Sequence, residues 1–192
     1  NFVARPTLDV KTFAIESRDG LMENSLIPMD QQSEWLAVCN QAIEIAQEKF
    51  AACPAHQIRL HGDCHPGNIL WTPTDLPNGG PHFVDLDDAR MGPAVQDLWM
   101  LLSGDRAQRT QQLAMLLDGY EQMRELNRSE LALIEPLRTL RLIHYSAWLA
   151  RRQDDPAFAQ HFSWFGSSDY WAGQTHLLIE QCEAMQEAPL YA

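Results

Sequence analysis

Residues 60–89 read LHGDCHPGNILWTPTDLPNGGPHFVDLDDA, and the reading of this stretch decides the fold. Two short apolar runs, Ile69–Trp71 and Phe83–Leu86, flank a segment dense in Pro, Asn and Gly, the pattern of two strands joined by a tight connection. Asp63 and Asn68 lie just ahead of the first run and Asp85 falls within the second. Closing the hairpin would therefore gather two carboxylates and an amide at one end. Hard oxygen donors of this kind suit Mg²⁺, which keeps several waters and takes one or two carboxylates together with substrate phosphates. The chemistry implied is phosphoryl transfer.

The spacing sharpens that implication. His61-Gly62-Asp63 followed by Asn68 keeps the frame of a kinase catalytic loop, in which the Asp accepts the substrate proton and the Asn holds Mg²⁺. Asp85 then takes the metal-binding place that opens the Asp-Phe-Gly segment. The bare frame is a weak signal, met by chance in roughly one chain in a hundred of this length; its flanks make it specific. HGDCHPGNIL and FVDLDDA resemble the aminoglycoside phosphotransferase and choline kinase superfamily, where HGDxHPxN stands in place of HRDxxxxN. Arg5-Pro6-Thr7, Leu26-Ile27-Pro28, Gly92-Pro93-Ala94-Val95-Gln96-Asp97-Leu98-Trp99-Met100 and Ile134-Glu135-Pro136-Leu137-Arg138 look like the bacterial stress-response kinase branch of that superfamily. The likeness covers nearly the whole chain and is most specific over residues 60–102.

The resemblance implies an ATP-dependent phosphotransferase, foremost a serine/threonine protein kinase. Asp63 would be the catalytic base, and Asp85 would act beside it while holding Mg²⁺ with Asn68 against the ATP phosphates. Asp87 is a further candidate metal ligand, because two positions on along an extended chain it would share a side with Asp85. His61 and His65 are expected to support the loop, and Asp97, at the start of a helix, to hydrogen-bond the loop backbone. Gly62 replaces the Arg that usually reads an activation-loop phosphate, which implies activity without such a switch. The expected fold is α+β and mainly helical, a protein-kinase-like C-terminal lobe over residues 1–192, whose small β-hairpin carries the site. No glycine-rich loop, strand lysine or partner glutamate precedes the catalytic stretch, although the template needs them. The isolated lobe is therefore expected to bind ATP poorly and to transfer little phosphate.

Three other readings compete. A small-molecule kinase for an aminoglycoside, choline or homoserine-like alcohol uses the same frame. A non-catalytic kinase-fold interaction module would keep the scaffold alone, and the intact set of Asp63, Asn68 and Asp85 argues against it. A zinc or magnesium hydrolase on His61, His65 and the acids lacks a second ligand motif, just as a zinc site on His61, Cys64 and His65 lacks a fourth ligand.

Composition narrows the field. The chain has 192 residues, 45% of them hydrophobic and 21% charged, enough for a substantial core. Its net charge of -12, with Lys11 and Lys49 as the only lysines, argues against nucleic acid as a partner. There is no apolar run of about twenty residues and no basic-then-apolar leader, so a cytoplasmic setting without a membrane is the expectation; a monomer is compatible with the sequence, which does not give the oligomeric state. Cys39, Cys53, Cys64 and Cys182 show no close pairing and read as reduced thiols.

Helical periodicity and capping residues fill in the remainder. Thr7 or Asp9 can cap a short helix through Phe13, and Ser33 a long helix to about Ala52 bearing Trp35, Val38, Ala42, Ile45 and Ala46. A helix is expected over Val95–Ser103, another after Asp105, and a further one after Ser129 that breaks or kinks at Pro136. Ser168 or Asp169 should cap the last, beyond an aromatic loop at 154–168.

Overall fold

A computed structural model describes residues 5–191. A π-helical turn at Lys11–Ile15 runs into α1 (Glu16–Glu23), followed by α2 (Met29–Ala52), β1 (Ile58–Leu60), β2 (Ile69–Thr72), β3 (Gly80–Phe83) and β4 (Arg90–Gly92). Then come α3 (Gln96–Trp99), α4 (Arg106–Tyr120), α5 (Ile134–Ala150), α6 (Phe158–His161) and α7 (Ser168–Ala184), with 3₁₀ turns at Pro66–Asn68, Leu86–Asp88 and Arg128–Leu133. The mainly helical α+β character is as expected. The chain falls into two compact units.

One unit comprises Asp9–Ala52 and Glu135–Ala188. Asp9 caps its first helical run by accepting from the Thr12 amide at 2.7 Å, but that run continues past Phe13 to Glu23. The long helix starts at Met29, ahead of Ser33, because the Pro28 carbonyl already takes the Gln31 and Gln32 amides at 2.9 and 3.0 Å. Trp35, Cys39, Ala42, Ile43 and Ala46 form the buried stripe of α2, which packs on α7 with Trp35 edge-on to Trp171 at 5.5 Å. Truncating either ring to Ala would cost about 3–5 kcal/mol. Pro136 does not interrupt α5: it lies in the first turn, where its missing N–H would have had no intrahelical partner. Within the aromatic loop Phe158 is buried against Phe162 and Phe165, and the cap of α7 is Ser167, one residue earlier than expected.

The other unit holds Cys53–Ile134 with short terminal segments. Its strands form two antiparallel pairs, β1 with β4 (Leu60 opposite Arg90) and β2 with β3 (Ile69 opposite Phe83). Two expectations are corrected here. The stretch after Asp85 is not simply a loop, since Arg90–Gly92 pairs with β1. The second hairpin strand is Gly80–Phe83, so Asp85 lies beyond it. Little buried apolar surface fixes the hairpin register, because Leu70, Trp71 and Phe83 are 55%, 65% and 53% exposed and only Ile69 among the apolar strand residues is half-buried. Pairing ends where the Val84 amide meets the Asn68 carbonyl at 3.0 Å and Asp85 turns left-handed.

The helix expected over Val95–Ser103 is only Gln96–Trp99. Asp105 caps α4 in a reciprocal capping box with Gln108, and Leu113 and Leu117 bury its inner face. The turn before α5 is capped by Asn127, whose Oδ1 accepts from the Ser129 amide at 3.1 Å; Ser129 is not the cap. All four cysteines are free and buried. Among the described residues no helix is long and apolar enough to cross a membrane.

Candidate active site

The catalytic-loop stretch is held from below by the Gln96-Asp97 pair. The Asp97 carboxylate accepts the His61 amide at 2.6 Å on Oδ2 and the Gly62 amide at 2.9 Å on Oδ1. Gln96, almost fully buried, donates from Nε2 to the Gly62 carbonyl at 3.2 Å, and its own oxygen is fixed by the Trp99 indole N–H at 3.0 Å. Behind them the buried Glu130 carboxylate accepts the Val95 amide at 3.2 Å. Burial pushes the Asp97 carboxyl up from its ordinary range, against the opposing pull of the Gly62 and His61 amides. Burial likewise raises Glu130, against the Val95 and Ala94 amides.

Gly62 is required where it stands. Its φ is +90, and an added Cβ would run into the Asp88 carbonyl and crowd Arg90 Nε at 3.2 Å. The loop thereby rests directly on the segment that follows Asp85.

Asp63, His65 and Asn68 are brought together as the spacing requires. The Asn68 amide nitrogen donates to the Asp63 carbonyl at 3.0 Å. His65 Nδ1 accepts the Gly67 N–H at 3.0 Å, which leaves the ring proton on Nε2, 3.5 Å from Asp63 Oδ2. Asp63 thus has a fixed neighbour and keeps about a fifth of its side chain, 19%, open to solvent.

Asp85 reaches this group through the residue before it. The His61 ring nitrogen Nε2 donates to the Val84 carbonyl at 2.8 Å, while the Val84 amide is held by Asn68. Asp85 itself sits at φ 61, ψ 66, a conformation that costs a non-glycine residue about 1–2 kcal/mol. Such an outlier persists only where the surroundings over-determine it, and it is a pointer to function. Asp87 is not placed as expected: Leu86–Asp88 is a 3₁₀ turn, so the extended-chain argument for Asp87 sharing a side with Asp85 does not hold.

The donor chemistry fits a hard divalent cation. Asn68 donates its nitrogen to the Asp63 carbonyl, and its amide oxygen, like the carboxylates of Asp63 and Asp85, is a hard oxygen donor of the kind such an ion takes. Among the described residues no group of three or more His, Cys, Asp and Glu is gathered so as to hold a metal. The zinc reading of His61, Cys64 and His65 finds no support, since His61 Nε2 is engaged by the Val84 carbonyl, His65 Nδ1 by the Gly67 amide, and Cys64 is a buried thiol raised by burial to about 11. Arg90, Gln96 and Glu130 carry parts of this arrangement that sequence reasoning passed over. Gln96 alone had a signal, its place beside Asp97.

Comparison with known proteins identifies the family. The model of the phosphotransferase enzyme family matches residues 8–134. Stress response kinase A of Escherichia coli K12 is 46% identical over 98% of this chain and 56% of its own length. Serine/threonine protein kinase RdoA of Salmonella typhimurium LT2 is 44% identical, again over 98% of this chain and 56% of that protein. The chain thus spans about half the length of the curated relatives it matches. Among solved structures, a microcompartment-associated aminopropanol kinase shares the fold at a TM-score of 0.56 and 16% identity, over 93% of this chain and 64% of that one. With the HGDCHPGN loop, its Asp97 anchor and the family match all falling within one stretch, this chain belongs to the phosphotransferase enzyme family.

Proposed function

We propose that this chain is the C-terminal lobe of an ATP-dependent kinase that transfers the γ-phosphoryl group to a hydroxyl, foremost to Ser or Thr of a protein. In this reading Asp63 orients the attacking hydroxyl and accepts its proton, and His65 holds the Asp63 carboxylate in place. Asn68 and Asp85 are the ligands for Mg²⁺, which when bound neutralises charge on the phosphates of ATP. Asp87 adds negative charge nearby rather than a matched ligand. The observation that supports this reading is the shared scaffold of the loop: Asp97 fixes His61 and Gly62, His61 fixes Val84, and Asn68 ties Asp63 to Val84, so Asp63, Asn68 and the residue before Asp85 belong to one hydrogen-bonded frame. The kinase names of relatives 44–46% identical to it support the same reading.

We place the nucleotide-gripping lobe in the part of the relatives that this chain does not span. The exposed apolar side chains of the hairpin, Trp71 and Phe83 on one face and Leu70 on the other at 53–65% exposure, support that placement, since they are apolar surface suited to cover. A small cationic alcohol is the second acceptor reading, favoured by the net charge of -12 and the exposed run Asp85, Asp87, Asp88.

The test uses protein that includes the nucleotide lobe, radiolabelled ATP, a generic basic protein and a panel of amino alcohols. Transfer to the basic protein, and its loss by at least about a hundredfold in Asp63→Ala with nucleotide binding retained, is expected. Near-normal turnover in Asp63→Ala removes the base assignment, and transfer to the amino alcohols alone selects the second acceptor.

A further inference from the structure

The Asp85 segment presents a problem of order. It is acidic and exposed, it starts from a left-handed residue, and its turn is closed by the Ala89 amide on the Leu86 carbonyl at 3.1 Å. Three like charges in such a turn repel one another, and exposed 3₁₀ turns are weakly self-stabilised.

Two guanidinium groups oppose that. Arg90 donates from Nε to the Asp88 carbonyl at 2.8 Å and from a terminal nitrogen to the Asp88 carboxylate at 2.7 Å, so one fork bridges the backbone and side chain of one residue. Arg5 donates to the neighbouring Asp87 carbonyl at 3.0 Å. Arg90 is placed by its strand. On β4 it lies opposite Leu60 of β1, the residue before His61, and it is only 9% exposed. Its Nε comes close to the space beside Gly62 that any side chain there would enter.

We propose that Arg90 is a positioning residue that locks the Asp85 segment in its metal-binding shape, with Arg5 as a second tie, an inference that rests on the metal role of Asp85 given above. In kinases whose activation loops order on phosphorylation, a phosphate recruits arginine to do this. Here the anion is the Asp88 carboxylate and the cation arrives from β4, so the lock is written into the sequence and closes on folding. The glycine at position 62 is the other half of the device, because a larger residue would displace both the Asp88 carbonyl and the guanidinium.

The test compares wild type with Arg90→Ala, Arg90→Lys and Asp88→Asn, in protein that includes the nucleotide lobe, by amide hydrogen exchange and by Mn²⁺ titration in the presence of ATP read by electron paramagnetic resonance. Exchange at Ala89 should rise at least tenfold in Arg90→Ala, less in Arg90→Lys, whose single ammonium cannot span both acceptors, and least in Asp88→Asn, where the carbonyl bond remains. Mn²⁺ affinity should fall at least fivefold in Arg90→Ala. Unchanged exchange at Ala89, or a rise shared equally by the β1–β4 ladder, overturns the lock. Raised exchange at Ala89 with unaltered Mn²⁺ affinity overturns the positioning role. Wild-type protein that binds no Mn²⁺ with ATP present removes the metal reading itself, and the exchange arm then decides whether the lock exists. Should Arg90→Ala fail to fold, the other two variants carry the same comparison.

Discussion

The Asp97 carboxylate receives the His61 backbone N–H at 2.6 Å, thirty-six residues upstream in the chain. That bond, with its partner at Gly62, is the tie between α3 and the loop that carries Asp63. A carboxylate that accepts two amide hydrogens at the base of a loop fixes backbone position rather than supplying a reacting group, and its worth lies in where it holds Asp63.

Asp97→Asn tests this directly. An amide presents one acceptor oxygen, and its NH₂ would face an N–H donor, so one buried amide is left unsatisfied. The expected loss is about 2–3 kcal/mol of unfolding free energy in urea. In protein with the nucleotide lobe, turnover should fall while the KM for ATP changes little. A variant within about 0.5 kcal/mol of wild type, a change typical of neutral surface sites, would show that the bond does not hold the loop.

Asp85 gives a prediction of the opposite kind. Its φ of 61 is a conformation that glycine adopts freely. Asp85→Gly should therefore cost no stability and add up to about 1 kcal/mol, while Mn²⁺ binding is lost. Asp85→Ala should lose the metal without that gain, because Ala is also strained there. Paired urea melts and Mn²⁺ titrations on the two variants decide it. A clear destabilisation by Asp85→Gly would mean that the aspartate side chain supports the turn instead of being carried by it.

What the sequence revealed and what it hid divide along locality. The loop frame from His61 to Asn68, the Asp105 cap and the Trp35, Ala42 and Ala46 positions of the α2 stripe are short-range patterns found in the structure, while Cys39 and Ile43 are buried there in place of Val38 and Ile45. β4 was hidden because Arg-Met-Gly has no alternation of its own and becomes a strand only by pairing with residues 58–60. The end of β3 was misplaced because Val84 and Leu86 look like strand residues, yet the hairpin has little buried apolar surface to enforce their register. The left-handed turn at Asp85 is likewise a tertiary product, set by His61 and Asn68 through Val84. Glu130 was invisible for a simpler reason: in Ser-Glu-Leu-Ala-Leu a glutamate reads as a solvated helix residue, and only the fold buries it beneath Val95.

That buried glutamate makes stability depend on pH. Burial lifts its folded pKa above the ordinary value of 4.5, so the fold binds its proton more tightly than the unfolded chain does. Its contribution to stability is therefore complete below 4.5 and is lost as pH rises through the raised folded value. Glu130→Gln removes the titration while keeping one acceptor for the Val95 amide. Urea unfolding of both proteins from about pH 4 to pH 7 should show wild type losing stability relative to Glu130→Gln as pH rises, and the gap should level off once Glu130 is ionised in the fold. Asp97 titrates in the same sense and is present in both proteins, so it cancels in the difference. Parallel pH profiles would mean that Glu130 stays as solvated in the fold as in the unfolded chain, and the support of Ala94–Asp97 would then have to come from Gln96 and Trp99 alone.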